Sequence, residues 1–468
     1  MAEHIVCITA AGGIPLLTRT KPGCQPLSFP VVGSLNGVHM FGLNRDVKLI
    51  STLSADHRIV WKIYEDSIVL IAVAPNEDKF LGHCAQKSSN SGVELESNAR
   101  NSSSTVTDAH LLRLLDNIFH ALVLLTGLSE LTTIQNVDRL KKDLRACHQL
   151  VDTFLDPDLP GAQEKGLKLF GGLTHSVDIV IKEDAKLLHE HLQAFVEAAD
   201  STYGCLVVNG KVVCATNKWW MLTGQELALL GRLISIAPTS VTSSDVAVYL
   251  PHSSPNIPHR LLIFTLVTGV GNNSSGGVRA CVLCGPQPSL AHVQNAYVER
   301  FWGPGTNTLQ KCARSENIPT QLKSSLPSAL LGFLLIDADA HRCLSHISPQ
   351  IGTDTSDHLK RRKQKGDRQK IDSSWIYFRL CEFYKHVVGT SFPLPDSVED
   401  SPLPQDDLSP HAGLAHYRCM TSHKCFALWR PPYQIFALYK PEAPTFALQN
   451  LTESTLDAVC KDGALLAL

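Results

Sequence analysis

The sequence has almost no net charge: 42 Lys and Arg against 44 Asp and Glu leave a formal charge of -2 over 468 residues. Without an excess of either sign there is no global attraction to nucleic acid or anionic lipid, and any such binding has to come from a local patch. Long apolar runs are missing as well. None approaches the ~20 residues a membrane-spanning helix needs, and Met1-Ala2-Glu3-His4 lacks the basic, then apolar, layout of a secretion signal. The expected address is the cytoplasm.

Catalytic motifs are the third absence. Gly161–Lys168 approaches a phosphate loop, but its Lys falls one place late and no Ser or Thr follows to hold Mg²⁺. Gly33-Ser34-Leu35-Asn36-Gly37 sets its Ser one place too early for a nucleophile elbow. His189-Glu190-His191 lacks the i, i+4 spacing of a zinc-protease helix and reads as a solvated face. Cys281 and Cys284 have the spacing of half a zinc site, yet Val282 and Leu283 between them suit the end of a buried strand. Asp337-Ala338-Asp339 with His341 would suit a divalent cation, but a hairpin turn calls for the same residue types. No cofactor, metal or catalytic residue is expected. The 14 cysteines mostly lie inside apolar segments, as Cys7, Cys147, Cys205 and Cys381 do, and read as reduced core residues.

What the chain does have is a folded composition, 44% hydrophobic and 18% charged, and room for about three domains of ~150 residues. One order of elements can be followed three times: hairpin, helix, strands, terminal helix. Ile5–Ile8 and Ile14–Leu17 flank Ala10-Ala11-Gly12-Gly13; Cys205–Val208 and Val212–Ala215 flank Asn209-Gly210; Leu330–Ile336 and Cys343–Ile347 flank Asp337–His341. Helical patterns follow each hairpin. Ser28 and Pro30 open one with Val31, Leu35 and Val38 on one face, Thr223-Gly224-Gln225-Glu226 has capping-box spacing, and Trp375, Phe378, Cys381, Tyr384 and Val388 recur at helical intervals. Strand-like runs come next, and helices close each copy. The first closing pair is the clearest, with one stripe through Leu111, Leu115, Ile118 and Leu122 and another from Ile134 through Leu140, Leu144 and Val151 to Phe154. Ordinary α/β alternation is the competing description.

Asn76–Asp108, Asp156–Gly172 and Pro393–Pro410 are Ser/Asn-, Gly/Pro- and Asp/Pro-rich, and read as an insertion, a linker and a loop. Lys360, Arg361, Arg362 and Lys363, continued by Lys365, Arg368 and Lys370, form one strong basic cluster: a solvated loop, or a patch for anionic headgroups or an acidic partner. No aromatic residues are interleaved with these charges, which argues against nucleic acid. Gly33 and Gly37 leave a side-chain-free strip on the first helix, beside Asn36, His39, Met40 and Phe41. Glycine weakens a helix interior by about 1 kcal/mol relative to Ala, so the pair implies close approach of another backbone, either the helix's own sheet or a partner chain.

The run Phe29–Gly42, with Val60-Trp61-Lys62, Asp66-Ser67-Ile68, Leu128–Thr132 and Asn136–Ala146, closely resembles the planar cell polarity branch of the tri-longin family. Trp219-Trp220, Tyr249–His252, Pro258–Leu262 and Leu283–Pro286 extend the resemblance through the second copy; the third is carried mainly by its order of elements. The resemblance implies an α+β chain of three longin-like domains, each a mostly antiparallel sheet flanked by helices, over residues 1–157 (with the insertion 76–108), 178–316 and 326–468. It also implies pairing with Inturned, a second three-longin protein, association with a WD-repeat planar cell polarity effector at the ciliary basal body, and nucleotide exchange on a Rab-family GTPase. A non-catalytic adaptor that holds such a complex at membranes is the alternative. Exchange requires no acid, base or nucleophile, only a higher affinity for the nucleotide-free switch conformation, so the missing motifs are expected.

Overall fold

The computed structural model describes residues 2–76, 107–155, 174–238, 241–268, 277–314, 317–348, 373–390, 392 and 414–461. They fall into two compact units, one made of the described residues between 2 and 314 with Ala340–Cys343 and the other of those between 317 and 339 and between 344 and 461. The three stretches expected to be insertion, linker and loop fall almost wholly outside the described residues.

In the first repeat β1 (His4–Thr9) and β2 (Pro15–Thr20) make the expected hairpin, followed by α1 (Phe29–Leu43), β3 (Ser51–Leu53), β4 (His57–Tyr64) and β5 (Ile68–Pro75). The sheet order is β2-β1-β5-β4-β3, antiparallel throughout. Ile68–Ala74 is buried at every residue because β5 is covered on both faces, by α1 on one side and by α2 (Asp108–Thr126) on the other. Val32 and Leu35 of α1 pack on Val6, Ile8, Trp61, Val69 and Ile71. On the opposite face Tyr64 stacks on Phe119 of α2 with ring centroids 4.2 Å apart. The stripe ending at Phe154 is one apolar face but three pieces of backbone: a helix Val137–Asp143, a 3₁₀ turn Leu144–Cys147 and α3 (His148–Leu155).

The second repeat begins with β6 (Val177–Ile179) and α4 (Ala185–Ala198), neither expected from the sequence. The half-buried His191 of α4 lies against Trp302, so the face read as solvated is so only at Glu190. β7 (Tyr203–Val208) and β8 (Lys211–Ala215) then turn at Asn209 and Gly210, whose φ angles of 51° and 78° are what the Asn-Gly pair tolerates. After α5 (Gly224–Ile236) come β9 (Ser243–Leu250), β10 (Ser254–Val267), β11 (Val278–Cys284), a helical run Leu290–Trp302 interrupted by a π turn at Gln294–Val298, and α6 (Thr306–Arg314). The order is β8-β7-β11-β10-β9, with β6 added in parallel beside β8. Cys281 and Cys284 are buried within β11. Phe195 of α4 centres this core, edge-on to Phe264 and Trp302 at 5.7 and 5.8 Å.

The third repeat carries β12 (Leu330–Asp337), β13 (Arg342–Ile347), α7 (Ser373–Thr390), β14 (Leu414–Cys419), β15 (Lys424–Arg430), β16 (Tyr433–Tyr439) and α8 (Leu448–Lys461). Its order is β13-β12-β16-β15-β14. Asp337 ends β12 and the four residues after it are the turn. Tyr384 and Phe392 pack on Phe436, and the Tyr439 hydroxyl pairs with Thr452 Oγ1 at 2.8 Å to dock α8. One expected stripe residue, Phe378, points outward; the buried face of α7 runs through Ile376, Leu380, Phe383 and Val387.

The same strand order, second-first-fifth-fourth-third, therefore recurs in each repeat, which is a true structural repeat and not α/β alternation. Among the described residues one helix, α2, is long and apolar enough to cross a membrane, and most of it is buried within the protein.

Candidate partner interface

Helix α1 starts where Pro30 suits the first turn; Ser28 holds the cap position, but its side chain makes no capping bond. The face expected to be buried, Val31-Leu35-Val38, is not the one that is. Val32, Leu35 and His39 face the sheet, while Val31 and Val38 look outward. Leu35 belongs to both stripes, and a helix apolar on every side gives periodicity nothing to choose between them.

The outward face is apolar. Phe29 is 77% exposed and Phe41 65%, joined by Val31, Val38, Leu43 and, beyond the helix, Val47, Ile50 and Leu53 at the short edge strand β3. Arg45 sits over the Phe41 ring, 5.2 Å from its centroid. Gly33 and Gly37 lie on this outer side, and a Cβ added at either would meet nothing within 4 Å outside its own helix. The glycine strip is thus not packed on the domain's own sheet. Asn36 is half-buried, its amide lying where a Cβ of Gly13 (φ 61°) would be, so it braces the β1–β2 turn. Met40 is half-buried. His39 is a correction to the expected set: at 1% exposure it faces the core, and burial lowers its pKa so that the ring is neutral there. It was grouped with Met40 and Phe41 by adjacency in sequence, but neighbours on a helix point 100° apart.

The counterpart in the second repeat is α5, whose corresponding surface is covered. Its capping box is complete: Thr223 Oγ1 accepts from the Glu226 amide and the Glu226 carboxylate accepts from the Thr223 amide. Glu226 is fully buried and also accepts from the His252 and Ser253 amides at 2.9 and 2.8 Å and from Ser253 Oγ, tying α5 to the β9–β10 turn. Burial alone would raise its carboxyl; these donors outweigh that and hold it below its ordinary 4.5.

The cover comes from the first repeat's terminal helices. Gln225 Nε2 donates to Asn117 Oδ1 of α2 at 3.0 Å, the His120 and His252 rings lie 4.7 Å apart, and Gly127 abuts Tyr249. Arg232 donates to both the carbonyl and the hydroxyl of Thr153 at 3.1 Å, with its guanidinium 4.3 Å above the Phe154 ring. Burial, reinforced by His252, pushes His120 down to about 4. Sequence reasoning missed this docking. Nothing in the sequence warns of it: Arg113, Asn117 and His120 recur at helical spacing on the back of the α2 stripe, which is the pattern of a solvated face, yet Arg113 and Asn117 are buried.

Lys360, Arg361, Arg362, Lys363, Lys365, Arg368 and Lys370 lie outside the described residues.

Three five-strand sets of one order, each with a helix after its hairpin and helices at its end, define a protein of three longin domains. Profiles for the first, second and third longin domains of FUZ, MON1 and HPS1 match residues 3–86, 199–303 and 329–462. Over 464 residues the chain is 38% identical to a protein fuzzy homolog of Xenopus tropicalis, covering 98% of each, and over 470 residues it is 36% identical to the Homo sapiens protein, covering 97% of each. The Rattus norvegicus homolog is 37% identical over 396 residues, 83% of this chain and 80% of that protein. The chain belongs to the Fuzzy family.

Proposed function

We propose that this chain is a non-catalytic scaffold subunit that pairs with Inturned, and that the pair acts as a nucleotide exchange factor for a Rab-family GTPase in a ciliogenesis and planar cell polarity complex that includes a WD-repeat effector. The observation that carries the reading is the apolar outer face of α1 and β3, left open among the described residues while its counterpart on α5 and β9 is filled by helices of the same chain. Exposed apolar patches of this kind mark protein contacts. Gly33, Gly37 and Phe41 are the partner-facing residues; Asn36 and Met40 support them from the inside. The Lys360–Lys370 cluster gives the complex a contact to anionic membrane or to an acidic partner, and the basal body is where it works.

Release of a fluorescent nucleotide from a panel of Rabs tests this, with the chain alone and with Inturned. The chain alone should be nearly inert and the pair active on at least one Rab. An inert pair across the panel would leave an adaptor. Gly37→Leu should weaken pairing at least tenfold without lowering the chain's own stability, since the new side chain enters open space.

A further inference from the structure

At one end of the second sheet, beside the β9–β10 turn that Glu226 holds, the chain forms a cleft of about 530 Å³, within the size range of small-ligand sites. Its walls are the end of α4, the strand ends of β7, β9 and β11, and the start of β10. Two carboxylates, Glu197 and Asp200, stand at it, and among the described residues neither has a cationic partner. No Lys or Arg lines it. His259 brings no charge either: its Nε2 is paired with Ser254 Oγ at 2.7 Å, and burial lowers its pKa.

The backbone adds to the negative field. Asp200 takes a left-handed conformation, φ 52°, and its amide and that of Ser201 fold back on the Glu197 and Val196 carbonyls, so α4 ends at the cleft with the negative pole of its dipole there. The exposed carboxylates and the helix end disfavour an anion here. Among the described residues no three His, Cys, Asp or Glu side chains are grouped to hold a metal ion. The hydroxyl- and carboxylate-bearing walls offer acceptors in excess of donors, the complement of a group with several N–H donors and a positive charge.

We propose that this cleft binds an organic cation, a guanidinium or alkylammonium group, held by Glu197 and Asp200 at the mouth and by the acceptor-rich wall at Ser254. The site is independent of the α1 face and of nucleotide exchange. Leu250 and Leu283 supply reporters, because both residues line the cleft. With the full chain labelled at leucine methyls, N-acetyl-arginine methylamide should shift these two residues saturably, with a dissociation constant of about 1 mM, as befits a small ligand. The neutral isostere N-acetyl-citrulline methylamide should not. Glu197→Gln with Asp200→Asn should weaken binding at least tenfold, and Asn is well suited to the left-handed backbone at 200, so the fold is kept. Spermidine in a parallel titration distinguishes the sources: tighter binding than the arginine derivative assigns the cleft to free polyamines, weaker binding to a basic side chain of a protein. Equal shifts with citrulline, shifts that survive loss of both carboxylates, or no saturation by any of the cations up to about 50 mM would overturn the site.

Discussion

Helices α1 and α5 hold the same place in the same fold and have opposite surroundings. On α5 the side away from the sheet carries Gln225, Glu226 and Arg232, each bonded to another element of the unit. On α1 that side carries two bare glycines among exposed Phe, Val and Leu. Polar groups occur where the cover lies within one chain and their bonds are completed there; the open side of α1 is apolar and small, the composition of a protein contact and not of a surface suited to water. Geometry is constant between the two, and composition decides which is interior.

The contrast can be broken hardest at Glu226. Glu226→Ala removes an acceptor for five hydrogen bonds in a fully buried place and should cost about 4 kcal/mol, measured by denaturant unfolding. A loss under about 1 kcal/mol would mean the cap is not what fixes α5. Arg232→Ala comes next, at about 3 kcal/mol, because it strands the Thr153 carbonyl and uncovers Phe154. Trypsin should then cut between the first two repeats sooner; unchanged protection would argue against the docking.

Acid should act on the same contact. The unfolded chain protonates His120 near its ordinary 6.5, whereas the folded one resists until about 4, held neutral by burial and by His252, against the opposing pull of Asp116. Stability contributed by this group is therefore present at neutral pH and falls as pH drops from 6.5 to about 4, by about 2 kcal/mol after allowance for solvent screening. His120→Gln should flatten the difference between the two pH values, and a slope identical to that of the parent chain would remove His120 from the account. The smallest effect has the opposite sign. Gly37→Ala should stabilise the unpaired chain by up to about 1 kcal/mol through helix propensity alone, while Gly224→Ala at the start of α5 should destabilise, its Cβ overlapping the His175 carbonyl. If Gly37→Ala lowers the melting temperature as Gly224→Ala does, α1 is not open.

Much of the fold was legible because it is local. Asn209-Gly210 announces its hairpin, Thr223 to Glu226 its cap, and Leu111 to Leu122 its helix, each through a few consecutive dihedrals or one face. What stayed hidden depends on tertiary choice. Nothing in Val31, Val32, Leu35 and Val38 says which valines turn inward, and β6, three residues long, is too short for a pattern. At the candidate interface the glycines were readable as a bare strip, but its openness required knowing that β1, β4 and β5 had already been satisfied by Val32, Leu35 and His39. The cleft at Glu197 draws on five separate elements and leaves no mark in any one of them.

The covering of α5 by α2 and α3 also fixes a valence. Among the described residues of the first unit, the face on α5 is covered internally and the like face on α1 is open, so a partner seated on α1, as proposed above, would leave no second face of this kind there. A molecule with one such face closes a pair and stops; a molecule with two would add copies end to end and grow a fibre. By folding its own terminal helices over the second face, the chain removes the means of polymerising through it.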